Sequence, residues 1–317
     1  MITDAIGLIG SGLMPRRRGL LRGGPRRWIV AIGLGLLLPI GLAYYWSGLW
    51  LDELLFRRYR RRRIIQPVFI LGVPRSGTTA LHEALARDPQ FTTQRTWECL
   101  LAPSISHRYF WRGLAWLDRR GGRPLQRLAA ALNRRFLAPL TDAHPMALHA
   151  PEEDYLSLLP QLSAFILVIA FPDSQRLWRL GRGDAELTET ERQRLMARYR
   201  RSIQRHLHFH DSDRTYLAKN ASHATLVATL QQAFPDARFI ACVRDPAAVV
   251  SSQLSSLRPG LEALHGRIHQ DELTRRMLRQ LHFGYASLFS VLPQRAPERA
   301  VYIPLPAQRS GLADTIR

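Results

Sequence analysis

The chain has 317 residues, 46% hydrophobic and 22% charged, enough to build a substantial core as one large domain or two of ordinary size. Two cysteines, Cys99 and Cys242, argue against a disulfide framework and for a reducing compartment. The formal charge of +20 rests on 45 basic residues of which only Lys219 is lysine. Arginine excess of that kind follows genome composition as much as function. It fits an anionic substrate, cofactor or membrane surface, and it is not read as specific nucleic-acid binding.

Residues 1–63 carry twelve arginines against Asp4, Asp52 and Glu53, a net of +9, which leaves +11 for the rest. Within this segment, residues 28–51 are free of charge, rich in Leu, Ile and Gly, and edged by Trp28, Tyr44, Tyr45, Trp46 and Trp50. As a helix the stretch is about 36 Å long, enough to cross a hydrocarbon core of about 30 Å. Pro39 would kink it, and no small-residue cleavage site marks a signal peptide. Arg16–Arg18, Arg22, Arg26 and Arg27 on one side balance Arg57, Arg58 and Arg60–Arg63 on the other, so the positive-inside rule gives a tie. A hairpin or in-plane helix would resolve it. The expectation is membrane attachment with the catalytic domain on the cytoplasmic face, and a second domain beginning near Ile64.

The apolar run Pro67–Leu71 predicts a buried strand, followed by Gly72-Val-Pro-Arg-Ser-Gly-Thr-Thr79 and a helix from Ala80 to Arg87. A strand feeding a Gly-bounded loop that opens a helix converges backbone N–H groups and a helix dipole on one spot, which binds phosphate. The glycines have the spacing of G-x-x-x-x-G-K-[ST], but Thr78 stands where that motif needs lysine. Arg75 supplies a permanent cation instead, and Thr78 and Thr79 supply hydroxyls.

Residues 96–213 read as a helical insert. It holds the polar stretch Asp142–Asp154, the apolar run Leu156–Phe171 and a charged helix from Thr188 to Arg205 with a Thr188/Glu191 capping box. Strand Tyr216–Lys219, helix Ala221–Phe234, strand Arg238–Val243 and helix Ala247–Leu257 then follow in short order, with a helix over Glu272–Val291 and a strand Val301–Pro304 after them. Alternation of this kind predicts an α/β fold, a P-loop-type parallel sheet flanked by helices with ligands at the carboxyl ends of its strands. Lys219 and Arg244 both fall at such ends. His206, His208 and His210 with Asp211 invite a metal reading, but the polar end of a helix is the preferred account, and no metal is expected.

With Pro74-Arg75-Ser76-Gly77-Thr78-Thr79, and Arg244-Asp245-Pro246 followed by Ser252, the chain resembles the sulfotransferases that use 3'-phosphoadenosine 5'-phosphosulfate (PAPS). Arginine in the loop, His144-Pro145-Met146 and Pro151-Glu152-Glu153-Asp154 are similar to a bacterial-type branch related to tyrosylprotein sulfotransferases. The resemblance covers about residues 67–304. It implies that Arg75, Ser76, Gly77, Thr78 and Thr79 hold the 5'-phosphosulfate and that Arg244 and Ser252 grip the 3'-phosphate. It further implies that Glu98, allowing a two-residue shift, is the general base, and that Lys219 with Arg75 steadies the transition state. His144, His149, Glu152 and Glu153 are rival bases. The expected activity is transfer of a sulfuryl group from PAPS to a hydroxyl or amine acceptor, a small molecule, lipid or carbohydrate, with an amphiphile favoured by the apolar helix. A P-loop kinase or NTPase, and an inactive basic membrane- or nucleic-acid-binding protein, are the alternatives.

Overall fold

A computed structural model describes residues 7, 8, 10, 19–21, 25–127 and 148–305. His144, Pro145 and Met146 lie outside the described residues. Five strands, β1 (Val68–Leu71), β2 (Phe91–Thr92), β3 (Thr215–Lys219), β4 (Arg238–Val243) and β5 (Ala300–Pro304), form one parallel sheet in the order β2-β3-β1-β4-β5. The chain moves from central β1 toward β2 and β3 on one side, then crosses to β4 and β5 on the other. The carboxyl end of β1 is therefore the switch point where such sheets bind ligands.

The strands pack on both faces, as near-continuous apolar runs require. Phe69 and Leu71 face a core shared with Tyr199, Leu230 and Phe239, whereas Val68 and Ile70 face Leu81, Leu85 and Cys242. The helices in chain order are α1 (Pro25–Leu55), α2 (Thr78–Leu85), α3 (Thr96–Leu100), α4 (Ile105–Arg120), α5 (Gln175–Leu180), α6 (Gly183–Glu186), α7 (Glu189–Phe209), α8 (Val227–Ala233), α9 (Pro246–His265), α10 (Gln270–Ala286) and α11 (Leu292–Arg295). A π-helical turn, Ser287–Val291, joins the last two. The capping box at α7 forms as expected, with Thr188 Oγ1 accepting from Glu191 N and Glu191 Oε2 accepting from Thr188 N.

Two expectations change. The helix drawn over Ala221–Phe234 is a 3-10 turn, Ala221–Thr225, and then α8, because Asp184 accepts from Ala228 N and Thr229 N and starts a new helix there. The boundary near Ile64 does not set α1 apart. Asp52, fully buried, accepts from Ile105 N and Ser106 N at the start of α4 and from Arg205 Nε of α7 at 2.8 Å. Tyr44, Tyr45 and Trp46 donate to the carbonyls of Leu101, Leu100 and Pro160. The C-terminal half of α1 is thus a structural member of the unit that carries the sheet.

Candidate active site

The phosphate loop is closed by its own hydroxyl. Ser76 Oγ donates to Val73 O at 2.7 Å and Ser76 N donates to the same carbonyl at 3.3 Å, with the side chain fully buried. The Ser76 hydroxyl is therefore engaged in holding the loop's shape. Gly72 is demanded by close approach: a Cβ there would stand 2.4 Å from Ser76 Oγ and 3.0 Å from Cys242 O of β4. Gly77 caps α2 at φ 87°, a backbone glycine adopts at little cost. Arg75 adopts φ 70°, a conformation rare for a side-chain-bearing residue and typical of constrained functional loops.

That backbone turns the Arg75 side chain across to α9, where its Nε donates to Ser252 Oγ at 2.9 Å. From the end of β4, Arg244 Nη1 donates to Arg75 O at 3.0 Å, and Tyr285 of α10 fixes the Arg244 carbonyl at 2.7 Å. Asp245 and Pro246 start α9 by ordinary rules, Asp245 as N-cap accepting from Ala248 N and Pro246 in the first turn. Their local chemistry is what delivers Ser252 to Arg75. Arg75, Arg244 and Ser252, expected from sequence to share one ligand, are joined in the structure. The first N–H groups of α2 have no intrahelical acceptor. Two guanidiniums, a serine hydroxyl and that helix start form a donor set that fits a polyanionic nucleotide with phosphates at two places.

Lys219 ends β3 in register with Ile70 of β1, two residues before the loop. Its Nζ pairs with Glu153 Oε1 at 2.6 Å, and both are largely shielded, the side chains 6% and 23% exposed. Glu153 is held by a strand-like run alongside residues 94–96. Pro151 bridges Arg95, Glu152 N donates to Gln94 O, and Thr96 Oγ1 donates to Glu152 Oε2 at 3.0 Å. His82 of α2 lies near Lys219 and donates to or accepts from Thr93 Oγ1. Burial, then the Lys219 charge, pushes its pKa down to about 3, so the ring is neutral.

Glu98 stands elsewhere in function. It is fully buried at the start of α3, where Oε2 accepts from Arg95 N and Oε1 bonds His210 Nε2 at 2.7 Å, with Arg108 Nη1 at 3.5 Å. Burial raises its pKa, but Arg108 and the two histidines outweigh burial and hold it well below the carboxylate range. A carboxylate held so firmly ionised is a poor proton acceptor. That setting weighs against the sequence expectation of Glu98 as the base. Glu98, His206 and His210 place one ligand atom each within 4.8 Å of one another, the one group among the described residues with a metal-like donor set. Arg108 competes for the same carboxylate. His206 and His210 lie one helical turn apart at the end of α7, and His208 is on another face. His149 is exposed, on the wall of a polar cavity shared with Arg95, His206 and His210.

Residues 67–303 match the profile of a family described as Sulfotransferase family. The chain belongs to that family. Among characterised proteins, this sulfotransferase-family chain is 29% identical over 226 residues to omega-hydroxy-beta-dihydromenaquinone-9 sulfotransferase Stf3 of Mycobacterium bovis, and equally to that of Mycobacterium tuberculosis. The match takes in 69% of this chain and 52% of theirs, so the chain spans about half the length of the curated relatives it matches. The crystal structure of sulfotransferase STF9 from Mycobacterium avium superposes with a TM-score of 0.70 at 19% identity, over 99% of this chain and 76% of that one. Sulfotransferase STF1 from Mycobacterium tuberculosis gives 0.65 at 17%, over 99% and 80%. At those identities the likeness is one of fold. The superposition over 99% of this chain takes in α1.

Proposed function

We propose that this protein transfers a sulfuryl group from PAPS to the hydroxyl of an amphiphilic acceptor at a membrane. The observation that carries the reading is the meeting of Arg75, Arg244 and Ser252 across the carboxyl ends of β1 and β4. Arg244 and Ser252 would hold the 3'-phosphate, and Arg75 with the N–H groups from Gly77 to Thr79 would hold the 5'-phosphosulfate. Bound PAPS supplies the electrophilic sulfuryl group and a phosphate leaving group. Thr78 in place of the P-loop lysine argues against a kinase or NTPase.

Glu153 is the better general base. It is partly accessible, it sits at the strand ends with the loop, and its partner Lys219 is the ammonium suited to neutralising charge on the leaving phosphate. As Glu153 takes the acceptor proton, its attraction for Lys219 falls, and the ammonium is released toward the oxygen that gains charge. Proton removal and leaving-group stabilisation are coupled through one ion pair. Stf3, by its name, acts on a hydroxylated menaquinone derivative, and an isoprenoid-like alcohol is the acceptor class this reading favours.

Isothermal titration with adenosine 3',5'-diphosphate tests the donor site directly. Binding should weaken strongly when the 3'-phosphate is removed, and equal affinity for 5'-AMP would sink the proposal.

A further inference from the structure

Helix α1 has two faces that end on different things. At about 100° per residue, Leu34, Leu38, Leu42, Tyr45, Leu49 and Asp52 share one side. The three leucines at the start of that row pack on the buried group that includes Leu162, Val168 and Leu261, and Asp52 closes it with its ion pair to Arg205. On the opposite side lie Ile29, Ile32, Leu36, Ile40, Trp50 and Leu54, each 59–69% exposed and none polar. A helix with one face on a core normally turns charged residues to water on the other. Here the outward stripe runs from Ile29 to Leu54, about 38 Å, with Ser47 the one hydroxyl on it. That is far beyond scattered surface leucines.

The same packing rules on orientation. From Leu34 onward one side of α1 is covered by protein and hydrogen-bonded to it, which leaves residues 25–33 as the part that could enter a bilayer end-on. They reach about 14 Å, against a hydrocarbon thickness of about 30 Å. The helix is long and apolar enough to span, but the side that packs on the domain begins at Leu34 and continues to Asp52. Docked as it is, α1 cannot cross.

Charge selects the occupant. The chain leaves α1 through Arg57, Arg58 and Arg61, exposed and without a carboxylate partner among the described residues. On α4, Phe110 and Leu117, 57% and 59% exposed, flank the contact that His107 and Trp111 make with Tyr44. Trp50 adds an indole to the outward side, the residue type that seats at a headgroup boundary, while Trp46 stays bonded to Pro160 of the domain. A second copy of a +20 chain would bring like charges against these arginines, whereas an anionic lipid surface brings opposite ones. We infer that α1 lies in the plane of an anionic lipid bilayer, with the Ile29–Leu54 stripe sunk into one leaflet and both helix ends on the same side. This makes the membrane contact of the proposed function monotopic, and it stands whether or not the chain transfers sulfuryl groups.

The full chain labelled with an environment-sensitive fluorophore at Leu36→Cys, Ile40→Cys or Leu54→Cys, and at Arg194→Cys on α7 as a control, tests this with vesicles of phosphatidylcholine alone or with about 30 mol% phosphatidylglycerol. Expected are blue shifts at the three stripe positions, a common shallow quenching depth, no change at position 194, and stronger binding to the anionic vesicles. The double variant Leu36→Glu/Ile40→Glu should lower vesicle partition by roughly tenfold or more, with thermal midpoint and adenosine 3',5'-diphosphate affinity unchanged. Depths graded from Leu36 to Leu54 would mean a spanning helix, and burial of the labels in vesicle-free buffer with a concentration-dependent dimer would mean a second copy; either overturns the inference, as does failure to bind anionic vesicles. Because nucleotide affinity is read separately, loss of the donor-site reading leaves this result interpretable.

Discussion

At the scale of single residues, Glu98 and Glu153 pose the same carboxylate in two electrostatic settings. Glu98→Gln removes the charge that Arg108 faces at 3.5 Å with its side chain 1% exposed. An unpaired buried guanidinium costs about 3–5 kcal/mol, so the expected result is a clear fall in thermal midpoint. Glu153→Gln leaves a shielded but smaller imbalance at Lys219 and should keep the fold. It should lower kcat by roughly 100-fold or more, the range of a lost general base, with adenosine 3',5'-diphosphate affinity little changed. Full activity in Glu153→Gln, measured as labelled sulfate transferred from PAPS, would return the base to the other candidates. Arg244→Ala should weaken the same nucleotide by roughly 10- to 100-fold, since a hydrogen bond to a charged group contributes about 1.5–3 kcal/mol. 5'-AMP, lacking the phosphate proposed for Arg244, should be affected far less.

The residue scale also shows what was legible. Gly72, Arg75, Gly77, Arg244 and Ser252 could be named because strand, loop and helix chemistry each leave local signals and the two motifs complement each other. The setting of Glu98 could not be read in advance because its partners, Arg108 and His210, arrive from other helices and nothing local announces them. The inward turn of Ser76 is a contact within one loop, yet only the backbone conformation of Arg75 and Gly77 reveals it. The Lys219–Glu153 pair joins residues far apart in the chain, and a lone lysine among arginines was the signal that could be read in advance.

At the scale of elements, β1, β3, β4 and β5 were expected within a residue or so, because buried parallel strands are continuous apolar runs. Strand β2 was missed: two residues, Phe91–Thr92, hold no periodicity, and they pair with β3 only because α2 returns them to its edge. The last turn of the Asp142–Asp154 stretch carries a titrating element. Asp154, fully buried, accepts from Tyr216 at 2.9 Å and from Tyr199, while its Oδ1 has no partner. Burial outweighs the two tyrosine donors and raises its pKa from 3.8 to about 7. Between those values the folded state holds a proton that the unfolded state has released. The contribution to stability is therefore full below about pH 4, declines as pH rises toward 7, and is lost above it. Denaturant midpoints from pH 4 to 8 should show this decline superposed on the rest of the protein's titration, and Asp154→Asn should flatten it. An unchanged slope in that variant would assign the decline to other groups.

At the scale of the whole molecule, α1 and the catalytic unit are one mechanical piece, and Asp52 is the joint. One carboxylate caps the start of α4 and pairs with Arg205 of α7, whose guanidinium also stacks over Tyr59 at 4.5 Å. Three elements that meet nowhere in sequence are thereby fixed to the helix that carries the apolar stripe. Asp52→Ala leaves two helix-start N–H groups and a guanidinium without their acceptor in a site closed to water. The cost should be about 3–5 kcal/mol, read as a lowered unfolding midpoint, and Asp52→Asn should recover part of it because an amide oxygen still caps α4. If α1 were an appended anchor, removing this carboxylate would alter membrane binding and leave the unfolding of the catalytic unit unchanged. If it is built in, unfolding and nucleotide binding shift together, since the sheet that carries Arg75 and Lys219 rests on the same α7. Calorimetry with and without adenosine 3',5'-diphosphate separates the two outcomes: ligand at about 100 times the wild-type Kd should return about 2.7 kcal/mol to wild type, and less to the variant if its Kd has risen.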